Sequence, residues 1–155
     1  MAGSNILKSQ MEITLENLQK KTLIPQGRIF KAVKAAFRKL KNPGHIDFFK
    51  KDQSVPVFSS LSIVFVGTKR MRAINRKFLG HDFVTDVLTF DMGEGLGEII
   101  ICPQMARTQA KTHQTSTDQE IILYVIHGIL HLAGFDDHKP QDILQMRRME
   151  NKLLE

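Results

Sequence analysis

The order of apolar and polar residues divides the chain into short strands and amphipathic helices. Ile13 and Leu15, with Leu18 behind them, stand among polar neighbours, which predicts a first, edge-like strand. Between Arg28 and Lys41, Ile29, Phe30, Val33, Ala36, Phe37 and Leu40 cluster on one side at helical spacing, with Lys31, Lys34, Arg38 and Lys41 opposite. That predicts a helix with one core face and one solvated basic face. Asn42-Pro43-Gly44 ends it, and the stretch to Ser60 reads as an irregular connection. Leu61 to Val66 is mostly apolar, as in a strand at the centre of a sheet. Gly67-Thr68 then opens a helix expected to turn Met71, Ile74 and Phe78 inward and Lys69, Arg70, Arg72, Arg76 and Lys77 outward.

Val87 to Phe90 and Glu98 to Cys102 read as two further strands, joined by the glycine-rich run from Asp91 to Gly97. That run is acidic and lacks the Lys-Ser/Thr of a phosphate-cradling loop, so it reads as a hairpin or strand entry. Pro103 opens a helix to about Lys111, and Thr117-Asp118-Gln119-Glu120 forms a capping box for the next. From Ile121 to Leu130 that helix is apolar almost all round, so it is expected to be buried. After Lys139-Pro140, the residues Ile143, Leu144, Met146 and Leu153 predict a closing C-terminal helix. The expected fold is α+β: a small mixed sheet of about four strands packed with several helices, the histidine-bearing helix buried beneath it. Residues 1–155 are expected to form a single domain, with Met1 to Gln10 a disordered lead.

Composition narrows the setting. An apolar share of 42% with 25% charged residues is ordinary for a globular domain. The single cysteine, Cys102, allows no disulfide framework and suggests a reducing compartment. No apolar run approaches the roughly 18 residues of a membrane span, and the first residues lack the order of a signal peptide. A cytoplasmic protein with no membrane partner is expected. Twenty-two Lys and Arg against sixteen acids give a net charge of +6, which favours a polyanionic partner, nucleic acid ahead of membrane. Five cations and no acid between Lys69 and Lys77 concentrate that charge on one helix. Arg72, Arg76 and Lys77 are therefore the candidate RNA-contacting residues.

The chemistry lies in His127-Gly-Ile-Leu-His131-Leu-Ala-Gly134-Phe-Asp136-Asp137-His138, which holds three of the six histidines. His127 and His131 are four apart and share a helix face. Gly134 stands where the helix should stop, and the loop behind it brings back a third imidazole. Three nitrogens leave an open position on a metal, the arrangement of a catalytic zinc site.

These residues resemble the signature of the YbeY family, His-Gly-x-Leu-His-Leu-x-Gly-(Tyr/Phe)-Asp-His. Asp82-Phe-Val-Thr85-Asp86-Val-Leu-Thr-Phe90 is similar to the family's Asp-x-Pro-Thr-Asp-Val-Leu-Ser-Phe, and Gly97-Glu-Ile-Ile-Ile-Cys102 to its Gly-Asp-Ile-x-Ile-Cys. The likeness runs in order from about Leu61 to His138. It implies a zincin-like fold and a metal-dependent, single-strand-specific endoribonuclease of ribosomal RNA maturation, including the small-subunit 3′ end, and of ribosome quality control. It also implies the ribosome or small-subunit proteins as partners. Three positions depart from the pattern. Val84 replaces a Pro, Leu79 replaces an Arg, and Asp137 occupies the tenth place after the first His, where the family carries its third. A cation of the Lys69–Lys77 run, or His81, is expected to replace the missing Arg.

One Zn²⁺ per chain, held by His127, His131 and His138, is the expected cofactor. An imidazole keeps the ligand set neutral, and Gly134 lets the loop absorb one more residue. Asp136 and Asp137 are then expected to hold ligand imidazoles from behind. Zincin proteases carry a general base, Glu, directly after the first His; here that place is Gly128, and no general base is assigned. The alternatives are a metallopeptidase, opposed by Gly128, and a ribosome-associated RNA-binding protein with a structural metal, for which Cys102 is the only cysteine candidate as fourth ligand.

Overall fold

A computed structural model of the protein describes residues 11–41 and 58–155. The expected lead, the Asn42-Pro43-Gly44 stop and nearly all of the connection behind it lie outside these residues. Four strands, β1 (Glu12–Asn17), β2 (Ser60–Phe65), β3 (Val87–Asp91) and β4 (Leu96–Ile101), form one sheet in the order β1-β2-β4-β3. β1, β2 and β4 run parallel, and β3 is an antiparallel edge paired with β4 through Val87 opposite Ile101. The expected hairpin is present: Met92 donates to Leu96, and Gly93, Glu94 and Gly95 all take positive φ. The sheet is accompanied by α1 (Gln26–Lys41), α2 (Thr68–Leu79), α3 (Pro103–His113), α4 (Thr117–Leu132) and α5 (Pro140–Leu154). Among the described residues no helix is long and apolar enough to cross a membrane.

Strand alternation separates two cores. Leu61, Ile63 and Phe65 of β2 and Ile99 and Ile101 of β4 face α1 and α4 in the main core. Val64, Leu88, Ile100 and Cys102 face the other way, where α2 covers them with Met71. α4 lies deepest. Its fully buried Ile121, Ile126, Ile129 and Leu130 each gain about 1.5–3 kcal/mol from burial.

Three local expectations are corrected. The cap of α4 is Ser116, not Thr117: its hydroxyl accepts from the Gln119 N–H, and Gln119 returns the bond to the Ser116 N–H. Glu120 is turned inward instead, accepting from the Thr115 hydroxyl at 2.6 Å. Phe78 is not inward; it is 59% exposed and packs edge-on against Phe90 at 5.4 Å. On α5 the buried face is Met146, Met149 and Leu153, while Ile143 and Leu144 stay exposed.

Gly128 fixes how closely α4 meets the sheet. A Cβ there would stand 2.9 Å from Ile99 Cγ2 and 3.2 Å from Thr89 Cγ2. The position next to His127 is therefore filled by the sheet, and a glutamate has no room in it. Gly128→Val should destabilise the fold by about 1–3 kcal/mol through overpacking, with little offset because Val is only a slightly better helix former than Gly. Urea unfolding measures this, and an unchanged midpoint would show that the approach has slack.

Candidate metal centre

The apolar burial of α4 leaves one polar edge at its C-terminal end, and that edge carries His127 and His131. Their rings meet nearly at right angles, with Nε2 atoms 2.9 Å apart. His127 Nδ1 lies 2.6 Å from Glu150 Oε1 on α5, and His131 Nδ1 lies 3.1 Å from the Phe135 carbonyl. A carboxylate and a carbonyl can only accept, so each Nδ1 must carry the proton and donate. In the neutral rings both Nε2 lone pairs then point into the same space, where they repel unless a cation lies between them.

The third group is Asp137. Its Oδ2 lies 3.4 Å from His127 Nε2 and 3.6 Å from His131 Nε2. Zinc bonds of about 2.0–2.1 Å separate tetrahedral ligands by about 3.3–3.4 Å. The triangle of 2.9, 3.4 and 3.6 Å therefore has the size a metal needs. These three residues fit the ion that the motif implies.

His138 lies outside this triangle and groups instead with Asp136 and Asp137, their ligand atoms all within 4.8 Å of one another. Its side chain is 82% exposed, and its Nδ1 is hydrogen-bonded to Asp136. The reason is the turn that ends α4. Gly134 takes φ +97°, its N–H donates to the His131 carbonyl, and the Phe135 N–H donates to Leu130. This closed Schellman turn fixes the chain through Phe135. The chain reaches the pair at Asp137, ten residues after His127. Asp136 pairs with the His138 imidazole, the kind of contact expected of it, but away from the His127–His131 pair.

Charge around the pair favours a cation. Burial opposes a proton on His127, but the hydrogen bond and charge of Glu150, helped by Asp137 and Asp86, outweigh it and raise its pKa. His131 is held below its ordinary value by burial and by His127. Behind His127 a cavity of about 280 Å³ is lined by Asp86, Glu120 and Glu150, with Tyr124 and His113, and by no Lys or Arg. Burial also pushes the Tyr124 hydroxyl up. Cys102 is fully buried on the opposite face of the sheet, its thiol raised by burial, and cannot join the cluster.

Glu150 is the residue beside the pair that the sequence pattern does not single out. It lies four after Met146 and three before Leu153, an acid within the inward stripe of α5, and that was its signal. The three RNA-contact candidates lie on α2, across the sheet from the pair. Arg76 and Lys77 are exposed, while Arg72 is tied to Asp82 by two bonds of 2.9 and 3.0 Å.

A mixed sheet over a buried helix, with two imidazoles and a carboxylate at its open end, is the arrangement of a metal-site hydrolase. Comparison with known proteins makes this specific. The family model described as "Endoribonuclease YbeY" matches residues 14–155. A relative of that name from Thermodesulfovibrio yellowstonii is 34% identical over 155 residues, covering 93% of this chain and 97% of its own. Those from Chlorobium luteolum and Thermotoga neapolitana are 37% and 45% identical, over 61% and 52% of this chain and 72% and 54% of theirs. The solution structure of TM1509 from Thermotoga maritima superimposes with a TM-score of 0.56 at 26% identity, over 94% of this chain and 87% of that one. The chain belongs to the endoribonuclease YbeY family.

Losing the carboxylate behind His127 should weaken metal binding. Titration with Zn²⁺ against a competing chelator should show Glu150→Gln weaker by about 10-fold and Glu150→Ala by up to about 100-fold. Equal affinities would make Glu150 a packing residue only.

Proposed function

We propose that the protein is a zinc-dependent endoribonuclease that cuts single-stranded RNA during ribosomal RNA processing in the cytoplasm, in contact with the ribosome or its small-subunit proteins. The observation that carries this reading is the His127–His131–Asp137 triangle on a chain matched almost end to end by an endoribonuclease family. In this reading one Zn²⁺ is held by His127, His131 and Asp137, and His138 lies outside the ligand set. When bound, the ion supplies Lewis acidity toward a phosphodiester and toward water.

The protein's own groups supply the remainder. Glu150 and the Phe135 carbonyl hold the two imidazoles in the tautomer that presents Nε2. Asp137 carries charge into the cluster, and the acidic wall behind His127 adds to the pull on a cation. The negative end of the α4 dipole does the same. Arg76 and Lys77 supply positive charge for the phosphate backbone on the far side of the β3 edge. Peptide hydrolysis is disfavoured because Gly128 leaves no space for the glutamate that a zincin peptidase uses. A purely structural metal is disfavoured because, among the described residues, no fourth ligand joins the three.

Purified protein should cleave single-stranded RNA, lose that activity on chelation, and leave casein intact. Asp137→Ala should remove most metal binding and cleavage, whereas His138→Ala should leave both within about twofold. The reverse pattern would assign the third ligand to His138. Arg76→Ala with Lys77→Ala should weaken binding and flatten the salt dependence by about 0.7 in log–log slope per lost phosphate contact. An unchanged slope would make that face merely solvated.

A further inference from the structure

Between α2 and β3 the chain exposes more apolar surface than solvation explains. Phe78, Leu79 and Phe83 are 59%, 51% and 56% exposed within six residues. The rings of His81 and Phe83 lie nearly parallel, 12° apart with centroids 5.4 Å apart, and both residues are exposed. Two stacked rings left open to water offer a flat outer face that nothing among the described residues covers.

The loop is also held still. Asn75, 1% exposed inside α2, donates its side-chain amide to the Phe83 carbonyl at 3.0 Å. Arg72 clamps Asp82 from the same helix by two bonds, and the His81 N–H reaches the Asn75 carbonyl. The work of Arg72 is thus to fix this loop. A clamped loop presents its rings at low entropic cost.

The surroundings decide the occupant. Arg76 and Lys77 stand on α2 just before this loop, Arg76 3.9 Å from the Asp82 carboxylate between the two rings and the Lys77 ammonium 5.3 Å from the Phe78 ring. Phe83 is three residues from Asp86, a separation of at most about 11 Å, and Asp86 lines the cavity that reaches His127. Flat rings beside cations, a few residues from a hydrolytic centre, match the bases and phosphates of an unpaired polynucleotide. We propose that His81 and Phe83 form a stacking platform for an unpaired nucleobase of single-stranded RNA, next to the scissile position. The proposal rests on the endoribonuclease reading and adds how the strand is gripped and why unpaired bases are required. In this proposal the stacked rings grip the base, and the cations of α2 serve the phosphates.

The test is fluorescence anisotropy with a labelled 12-nucleotide single-stranded RNA on metal-loaded protein at several salt concentrations. Phe83→Ala should weaken binding about 5- to 100-fold, the scale of one lost base stack. Its salt slope should match the wild type, because no phosphate contact is lost. Phe83→Tyr should bind like wild type, and His81→Ala should fall between. A 2-aminopurine base in the RNA should be quenched by the wild type and not by Phe83→Ala. Wild-type binding with Phe83→Ala unchanged, or with Phe83→Tyr as weak as Phe83→Ala, would overturn the platform and leave the endoribonuclease reading intact. A wild type that neither binds nor cuts RNA would overturn both.

Discussion

The site depends on how closely α4 approaches the sheet at Gly128. The backbone at Gly128 lies so close to Ile99 and Thr89 that no side chain fits between them, and the buried faces of α4 leave His127 and His131 on its one polar edge. The energy that holds them comes from the aliphatic side chains on the rest of the helix, not from the site. The same contact explains the chemistry that is absent, since the space a peptidase would give to its glutamate is occupied by the sheet.

What surrounds the pair is arranged for a cation. Two imidazole lone pairs converge, a carboxylate completes the triangle, Glu150 pulls on the far side of one ring, and the end of α4 adds its negative dipole. In the proposed ligand set an aspartate stands where the family pattern has a third histidine. Such a set is anionic, which would strengthen attraction for the ion and moderate the acidity it can induce. The family pattern is met in position, the tenth residue after His127, and broken in residue type.

Periodicity made most of the fold legible. The α1 stripe, the all-round apolar α4, the central β2 and the glycine hairpin are local patterns whose burial follows from spacing alone. The two helix-borne histidines were legible for the same reason. The failures lie where tertiary contact decides. Spacing alone puts Phe78 inward, but at that end of α2 it meets only the edge strand, packing against Phe90 with much of the ring exposed. Ser116 takes the α4 cap because Glu120 is claimed by Thr115. Which of Asp137 and His138 faces the pair depends on the path of the loop behind Gly134, and here Asp137 is the one beside it. Glu150 was visible as an acid in an apolar stripe, a signal with meaning only once α5 is known to lie against His127. The charge of Arg72 is visible in the sequence, whereas its pairing with Asp82, ten residues on, is visible only in the fold.

The ligand set is the claim on which the rest turns, and anomalous diffraction from crystals of the zinc-loaded protein tests it most directly. The account predicts one anomalous peak per chain, about 2.0–2.2 Å from His127 Nε2, His131 Nε2 and an Asp137 carboxylate oxygen, with His138 turned away. A peak coordinated by His138 in place of Asp137, or none at the α4 pair, would contradict it.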